Sequence, residues 1–167
     1  MTPDSFFQSP KRVISFDLDG VLFTAHHESN RDVEGAIPYV SNQGAILPVR
    51  PGTTEMMSSL LAPGWEVAFY TASFRSRSSL LEWSTRQGWP VSLVINRQLH
   101  EQKCADLGLS PAMVDRKIPC WFGIDLHVDD SMEIVAQIRR AGGHAHWVDP
   151  ADPEWTTGVL AAAAGLR

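Results

Sequence analysis

Two pairs of acids in this chain stand where carboxylates can do chemistry. Asp17 and Asp19 follow the apolar run Val13-Ile14-Ser15-Phe16, and Asp129-Asp130 follow a second run from Phe122 to Val128. Gly20 stops the first run. In an open parallel sheet, ligands bind at the carboxyl ends of the strands, which is where both pairs fall. A carboxylate can attack phosphorus and form an aspartyl phosphate, splitting hydrolysis into two easier steps. It is a weak nucleophile, and its charge repels a phosphate dianion. A magnesium ion shared by both removes that repulsion. Mg²⁺ takes oxygen ligands and keeps several waters, so a few carboxylates at strand ends suffice to hold it. Thr71 closes the apolar run Trp65 to Tyr70 and offers a hydroxyl and neighbouring backbone N–H groups as phosphoryl donors, with Ser73 as its rival. Each feature also has a plainer reading: a turn for Asp17 and Asp19, a helix N-cap for Asp129-Asp130, and a strand end for Thr71.

The elements that must position these residues alternate along the chain. Strands are expected over 13–17, 65–70, 91–95, 122–128 and 144–148, and helices over 53–61, 75–87, 97–107, 131–141 and 156–164. Thr53 is the expected N-cap of the first helix, and Gly88, Gly108 and Gly142-Gly143 stop later ones. Alternation at these lengths predicts an α/β chain with a mostly parallel, doubly wound five-stranded sheet covered by helices on both faces. Ala36 to Val40 and Ala45 to Val49 flank Ser41-Asn42-Gln43-Gly44, which reads as a β-hairpin. Pro38 and Pro48 suit edge strands. Residues 1–167 are expected as one domain, with 24–49 as a small flap.

The apolar strand ending in Asp17-Leu18-Asp19-Gly20, with Thr71 and Asp129-Asp130 after later strands, resembles the haloacid dehalogenase superfamily. That resemblance covers nearly the whole chain and implies a Rossmann-like three-layer sandwich. It makes Asp17 the nucleophile and a Mg²⁺ ligand. Asp19 becomes the general acid and binds the metal through its backbone carbonyl. Asp129 binds the metal directly, and Asp130 binds it through water or orients the site. Thr71 takes the motif that hydrogen-bonds the phosphoryl group. The superfamily also needs a lysine to neutralise nucleophile and phosphate. Lys117 fills that place, Lys103 is the runner-up, and Arg116 stands beside the first. The implied activity is hydrolysis of a phosphate monoester through an aspartyl phosphate. Asp19 argues against dehalogenation, and the small flap argues against a mutase, which must hold its intermediate away from water. A non-catalytic regulatory module and a phosphotransferase are the competing classes.

Composition narrows the partners. The 167 residues carry a net charge of −5, which argues against a nucleic-acid partner held by electrostatics. No segment is apolar and long enough to span a membrane, and the N-terminus lacks the charged and apolar regions of a signal peptide, so a cytoplasmic protein is expected. Cys104 and Cys120 read as unpaired thiols. His127, inside a strand, reads as a satisfied core histidine, and His144 and His146 as structural residues. His26 and His27 are candidates for substrate contact, as are Arg75 and Arg77 for a second anionic group. Trp83, Trp89, Trp121 and Trp147 read as core. The substrate is unnamed by any pattern. Oligomeric state stays open, with the exposed hairpin as the candidate contact of a homodimer.

Overall fold

The computed structural model describes residues 11–24, 37–41, 44–110 and 115–166. Five strands form one parallel sheet: β1 (Val13–Phe16), β4 (Glu66–Tyr70), β5 (Val91–Ile95), β6 (Leu126–Asp129) and β7 (Ala145–Trp147). Their order is β5-β4-β1-β6-β7, so β1 lies at the centre between β4 and β6. The flap is an antiparallel pair, β2 (Tyr39–Val40) and β3 (Ile46–Leu47). The helices are α1 (Thr53–Leu61), α2 (Arg77–Arg86), α3 (Arg97–Asp106), α4 (Met132–Arg140) and α5 (Trp155–Ala164).

The period-2 alternation of the central strands sorts their side chains onto two faces. Ile14 and Phe16 of β1, Val67 and Phe69 of β4, and Leu126 and Val128 of β6 enter one large core. Met56, Met57 and Leu60 of α1, Leu80 and Trp83 of α2, and Val159 of α5 pack against them. Tyr70 and Ile95 sit on the opposite face with Ile124 and Leu99 of α3, and Val135 and Ile138 of α4 pack against Ala145. On that second face β1 and β6 carry polar residues: Ser15 lies beside His127 in the strand register, and both are buried. Buried polar groups need hydrogen-bond partners, so a polar pair inside the central strands demands a network.

The flap is pinned by aromatic rings. Tyr39 stacks on Phe23 at 5.5 Å between centroids and meets Trp83 edge-on at 5.8 Å. Trp83 Nε1 donates to the Ile37 carbonyl at 2.8 Å. The outer side of the flap stays apolar and exposed at Val40 and Ile46.

Several expected boundaries are corrected. Gly52, in the left-handed region at φ 82°, holds the cap position of α1, and Thr53 is the first helical residue, its hydroxyl donating to the Arg50 carbonyl. Ser76 caps α2, so Arg75 lies in the preceding loop. The fourth predicted strand begins late: Pro119–Phe122 form a 3₁₀ turn, started by proline and ended by Gly123 at φ 68°, before β6 opens at Leu126. Trp147 is 38% exposed rather than core, its Nε1 donating to the Asp130 carbonyl. Trp121 is half-buried, stacked on His100. His26, His27 and Ala36 lie outside the described residues.

Candidate active site

Asp17 follows β1 directly, and its N–H donates to the Val128 carbonyl at 2.9 Å, tying it to β6. Asp129 ends β6, and Asp130 follows before Ser131, the N-cap of α4. The Ser131 N–H donates to Asp129 Oδ1 at 2.9 Å. This brings one carboxylate oxygen each from Asp17, Asp129 and Asp130 within 4.8 Å of one another. The glycine after Asp19 is required by this approach. Gly20 has φ 76°, and a Cβ there would stand 2.1 Å from Asp130 Oδ2. Arg50, buried under the turn, donates to the Gly20 carbonyl at 3.2 Å and to the carbonyls of Asp149 and Asp152 at 2.7 Å each.

Lys117 is the cation of the cluster. Its buried Nζ lies 2.9 Å from Asp17 Oδ1 and 2.7 Å from Asp129 Oδ2. The next residue anchors it, since the Ile118 N–H donates to the Tyr70 hydroxyl at 3.1 Å and that hydroxyl pairs with His100 Nδ1 at 2.7 Å. His127 approaches from the strand: its Nε2 is 2.9 Å from Asp129 Oδ2 and its Nδ1 is 2.7 Å from Ser15 Oγ. A carboxylate only accepts, so Nε2 carries the proton and Nδ1 accepts from the serine hydroxyl.

Charge follows from these contacts. Burial pushes the Asp17 carboxyl above its ordinary pKa, Lys117 opposes this, and Asp129 reinforces it. Asp130 is raised by burial and then by Asp129. Burial acts against ionised Asp129 as well, but the His127 N–H and the Lys117 charge outweigh it and hold this carboxyl well below the usual range. Burial would lower Lys117, yet Asp17 and Asp129 keep it above its ordinary value. Burial holds His127 below its ordinary value, so its ring is neutral. Three acids face one ammonium, and a divalent cation with oxygen preference would supply the charge that favours their ionised forms.

The loop after β4 brings a hydroxyl to the site. Thr71 is buried; its Oγ1 donates to Ser73 Oγ at 3.0 Å and accepts from the Ser73 N–H at 3.1 Å. Thr71, Asp17, Lys117, Asp129 and Asp130 all line one cavity of about 200 Å³, which continues to Arg97, Asp115 and Arg116. A larger cavity of about 290 Å³ lies between residues 116–120 and α4 and holds none of the clustered carboxylates.

No protein-family model and no curated protein sequence matches the chain. Solved structures do. D,D-heptose 1.7-bisphosphate phosphatase from B. bronchiseptica, complexed with magnesium and phosphate, is 16% identical, with 93% of this chain and 97% of that chain covered and a TM-score of 0.51. An uncharacterized protein from Listeria monocytogenes serotype 4b is 13% identical over 86% of this chain and 80% of that chain, with a TM-score of 0.50. A HAD-superfamily hydrolase from Geobacter sulfurreducens is 14% identical over 90% of this chain and 98% of that chain, at a TM-score of 0.49. The chain shares the fold of the heptose bisphosphate phosphatase.

In this fold the sequence-predicted residues are brought together unevenly. Asp17, Asp129, Asp130, Lys117 and Thr71 share the cavity, whereas Lys103 sits on α3 and is not among its lining residues. The Asp19 carboxylate is outside the cluster of three: Arg75 grips both its oxygens, at 2.6 and 2.8 Å. Arg77 donates instead to the Val94 carbonyl at 3.0 Å. His127 is satisfied, as a core histidine must be, but its partner is a carboxylate of the cluster. That contact, and the hold of Arg50 on the Gly20 turn, carried no motif. The one available signal was the polar Ser15 and His127 inside otherwise apolar strands.

Proposed function

We propose that the chain is a Mg²⁺-dependent phosphatase of phosphate monoesters, working through an aspartyl phosphate on Asp17. The observation that carries this reading is the buried Lys117 ammonium bridging Asp17 and Asp129 beside Asp130 in the lining of one cavity. Asp17, Asp129 and Asp130 would hold Mg²⁺, together with the Asp19 backbone carbonyl that the family resemblance adds. The bound metal supplies charge neutralisation between nucleophile and phosphate and templates the attack.

The chain's own groups perform the proton and bond changes. An Asp17 oxygen attacks phosphorus, and the bond to the leaving oxygen breaks as Asp19 gives that oxygen a proton. Asp19 then takes a proton from water, whose oxygen attacks the phosphoryl group and frees Asp17. Lys117 balances charge on Asp17 and on the phosphoryl oxygens, and Thr71 with the adjacent N–H groups donates to those oxygens. His127 fixes the rotamer of Asp129.

The test is phosphate release from p-nitrophenyl phosphate with and without Mg²⁺. Turnover that requires the metal is the expected result. Turnover unaffected by chelation would contradict the reading.

A further inference from the structure

The Arg75–Asp19 contact stands apart from the machinery described so far. A bidentate fork occupies both oxygens of the one carboxylate that, on the phosphatase reading, must turn an oxygen toward the leaving group. While the fork is closed, the guanidinium holds both Asp19 oxygens toward Arg75.

The two halves of the fork are unequally supported. The Asp19 side chain is 53% exposed and the Arg75 side chain 19%. Arg75 also donates to Ser73 Oγ at 3.2 Å, and its guanidinium lies 5.8 Å from the Phe23 ring centroid. Its backbone carbonyl accepts from Asn96 Nδ2 at 3.0 Å, and Asn96 in turn caps α3. Arg75 is therefore held in place by groups other than Asp19. Solvent-exposed ion pairs are weak, so exchanging one anionic partner for another changes the free energy little. The neighbouring arginines are committed elsewhere: Arg77 to the Val94 carbonyl, and Arg97 to Glu101 and Asp115. Ser73 Oγ accepts from both the Arg75 guanidinium and the Thr71 hydroxyl, so an anion docked on Arg75 stands close to the phosphoryl pocket.

We infer that Arg75 selects the substrate: it docks a second anionic group carried by the phosphate monoester, and in taking up that group it releases Asp19. This inference rests on the phosphatase reading and narrows its substrate class to esters with a further carboxylate or phosphate near the scissile bond. An ester with an uncharged tail offers Arg75 nothing, so the fork must open without a replacement partner and turnover is slower. Arg75 thus acts on proton transfer as a positioning residue, through Asp19.

A matched pair of probes tests it: the phosphate ester of 3-hydroxypropanoate and propyl phosphate, its counterpart with an uncharged tail. With Mg²⁺, the parent chain should favour the carboxylate ester by about tenfold in kcat/KM, the effect of one charge-assisted hydrogen bond. Arg75→Gln should erase that preference while raising kcat for propyl phosphate. Equal kcat/KM for the two esters in the parent chain overturns the inference and leaves the phosphatase reading standing. So does a parallel fall of kcat for both esters in Arg75→Gln, which is what a purely orienting role for Arg75 gives. If the parent chain turns over neither these esters nor p-nitrophenyl phosphate, the phosphatase reading fails. Calorimetry on the parent chain then decides the docking alone, and equal affinity for the two esters overturns it.

Discussion

Lys117 touches Asp17 and Asp129 with one ammonium, and among the described residues no other lysine or arginine is within ion-pair distance of either. Lys117→Met keeps much of the volume and removes the charge. Phosphate release should fall about 10²–10³-fold, the loss typical of one preorganised electrostatic donor. Steady-state kinetics check this, with circular dichroism to establish the fold. Gly20→Ala adds one methyl at φ 76°, directed at the Asp130 carboxylate. The strained turn must shift and displace Asp130, so Mg²⁺ affinity should fall about 10–100-fold, as for other losses of ligand support. Metal titration by calorimetry reads that change. Residues whose role depends on type and strand-end position were legible in the sequence. Asp17, Asp129-Asp130 and Thr71 each follow an apolar run, which places them at the carboxyl ends of strands. Lys117 was legible only because the other motifs left a vacancy. Arg75 was legible as a candidate for an anionic group but not as the partner of Asp19, and the hold of Arg50 on the Gly20 turn was not legible, because each contact joins segments far apart in sequence. His127 was legible as a core histidine but not as a partner of Asp129.

At the scale of elements, the flap and the last strand make separate claims. Tyr39 is buried between Phe23 and Trp83, and its hydroxyl pairs with Ser79 at 3.2 Å. Tyr39→Ala should destabilise the fold by about 3 kcal/mol, as aromatic truncations in cores do, and urea unfolding measures it. On β7, burial holds His146 below its ordinary pKa, with Arg139 adding to the effect, and its ring lies against Gly158 of α5. The unfolded chain therefore takes up this proton first on acidification. The contribution of neutral His146 is complete above about pH 6.5 and is lost as pH falls through the lowered native value. His146→Gln should make unfolding stability less dependent on pH below 6.5, and denaturant curves collected across that range test it. Element type was legible from periodicity, since β1, β4 and β5 alternate or run apolar between clear stops. The start of β6 was not. Phe122 and Ile124 are apolar enough to extend a strand, and Pro119 with Gly123 turns them into a 3₁₀ corner instead. Likewise Thr53 has the chemistry of a cap, but the chain turns one residue earlier, at a glycine.

For the whole molecule, one arrangement explains why so few residues suffice. β1 is central, so the ends of β4, β1 and β6 converge, and each contributes a site group: Thr71 after β4, Asp17 after β1, Asp129 and Asp130 at the end of β6. The large core on the face of α1, α2 and α5 carries the packing, and the second face gives up apolar volume to Ser15, His127 and Tyr70 behind the carboxylates. The alternation of strands and helices made the sheet legible. Strand order was not, because it is set by which faces pack together rather than by any local signal. Among the described residues no helix is long and apolar enough to cross a membrane.

The central claim is that Asp17 carries the phosphoryl group between two half-reactions. The measurement that meets it most directly is acid quenching during turnover of p-nitrophenyl phosphate with Mg²⁺, followed by peptide mass spectrometry. A labile phosphate is expected on the peptide containing Asp17, absent in Asp17→Asn together with turnover. Phosphate on another residue, or undiminished turnover in Asp17→Asn, would contradict it.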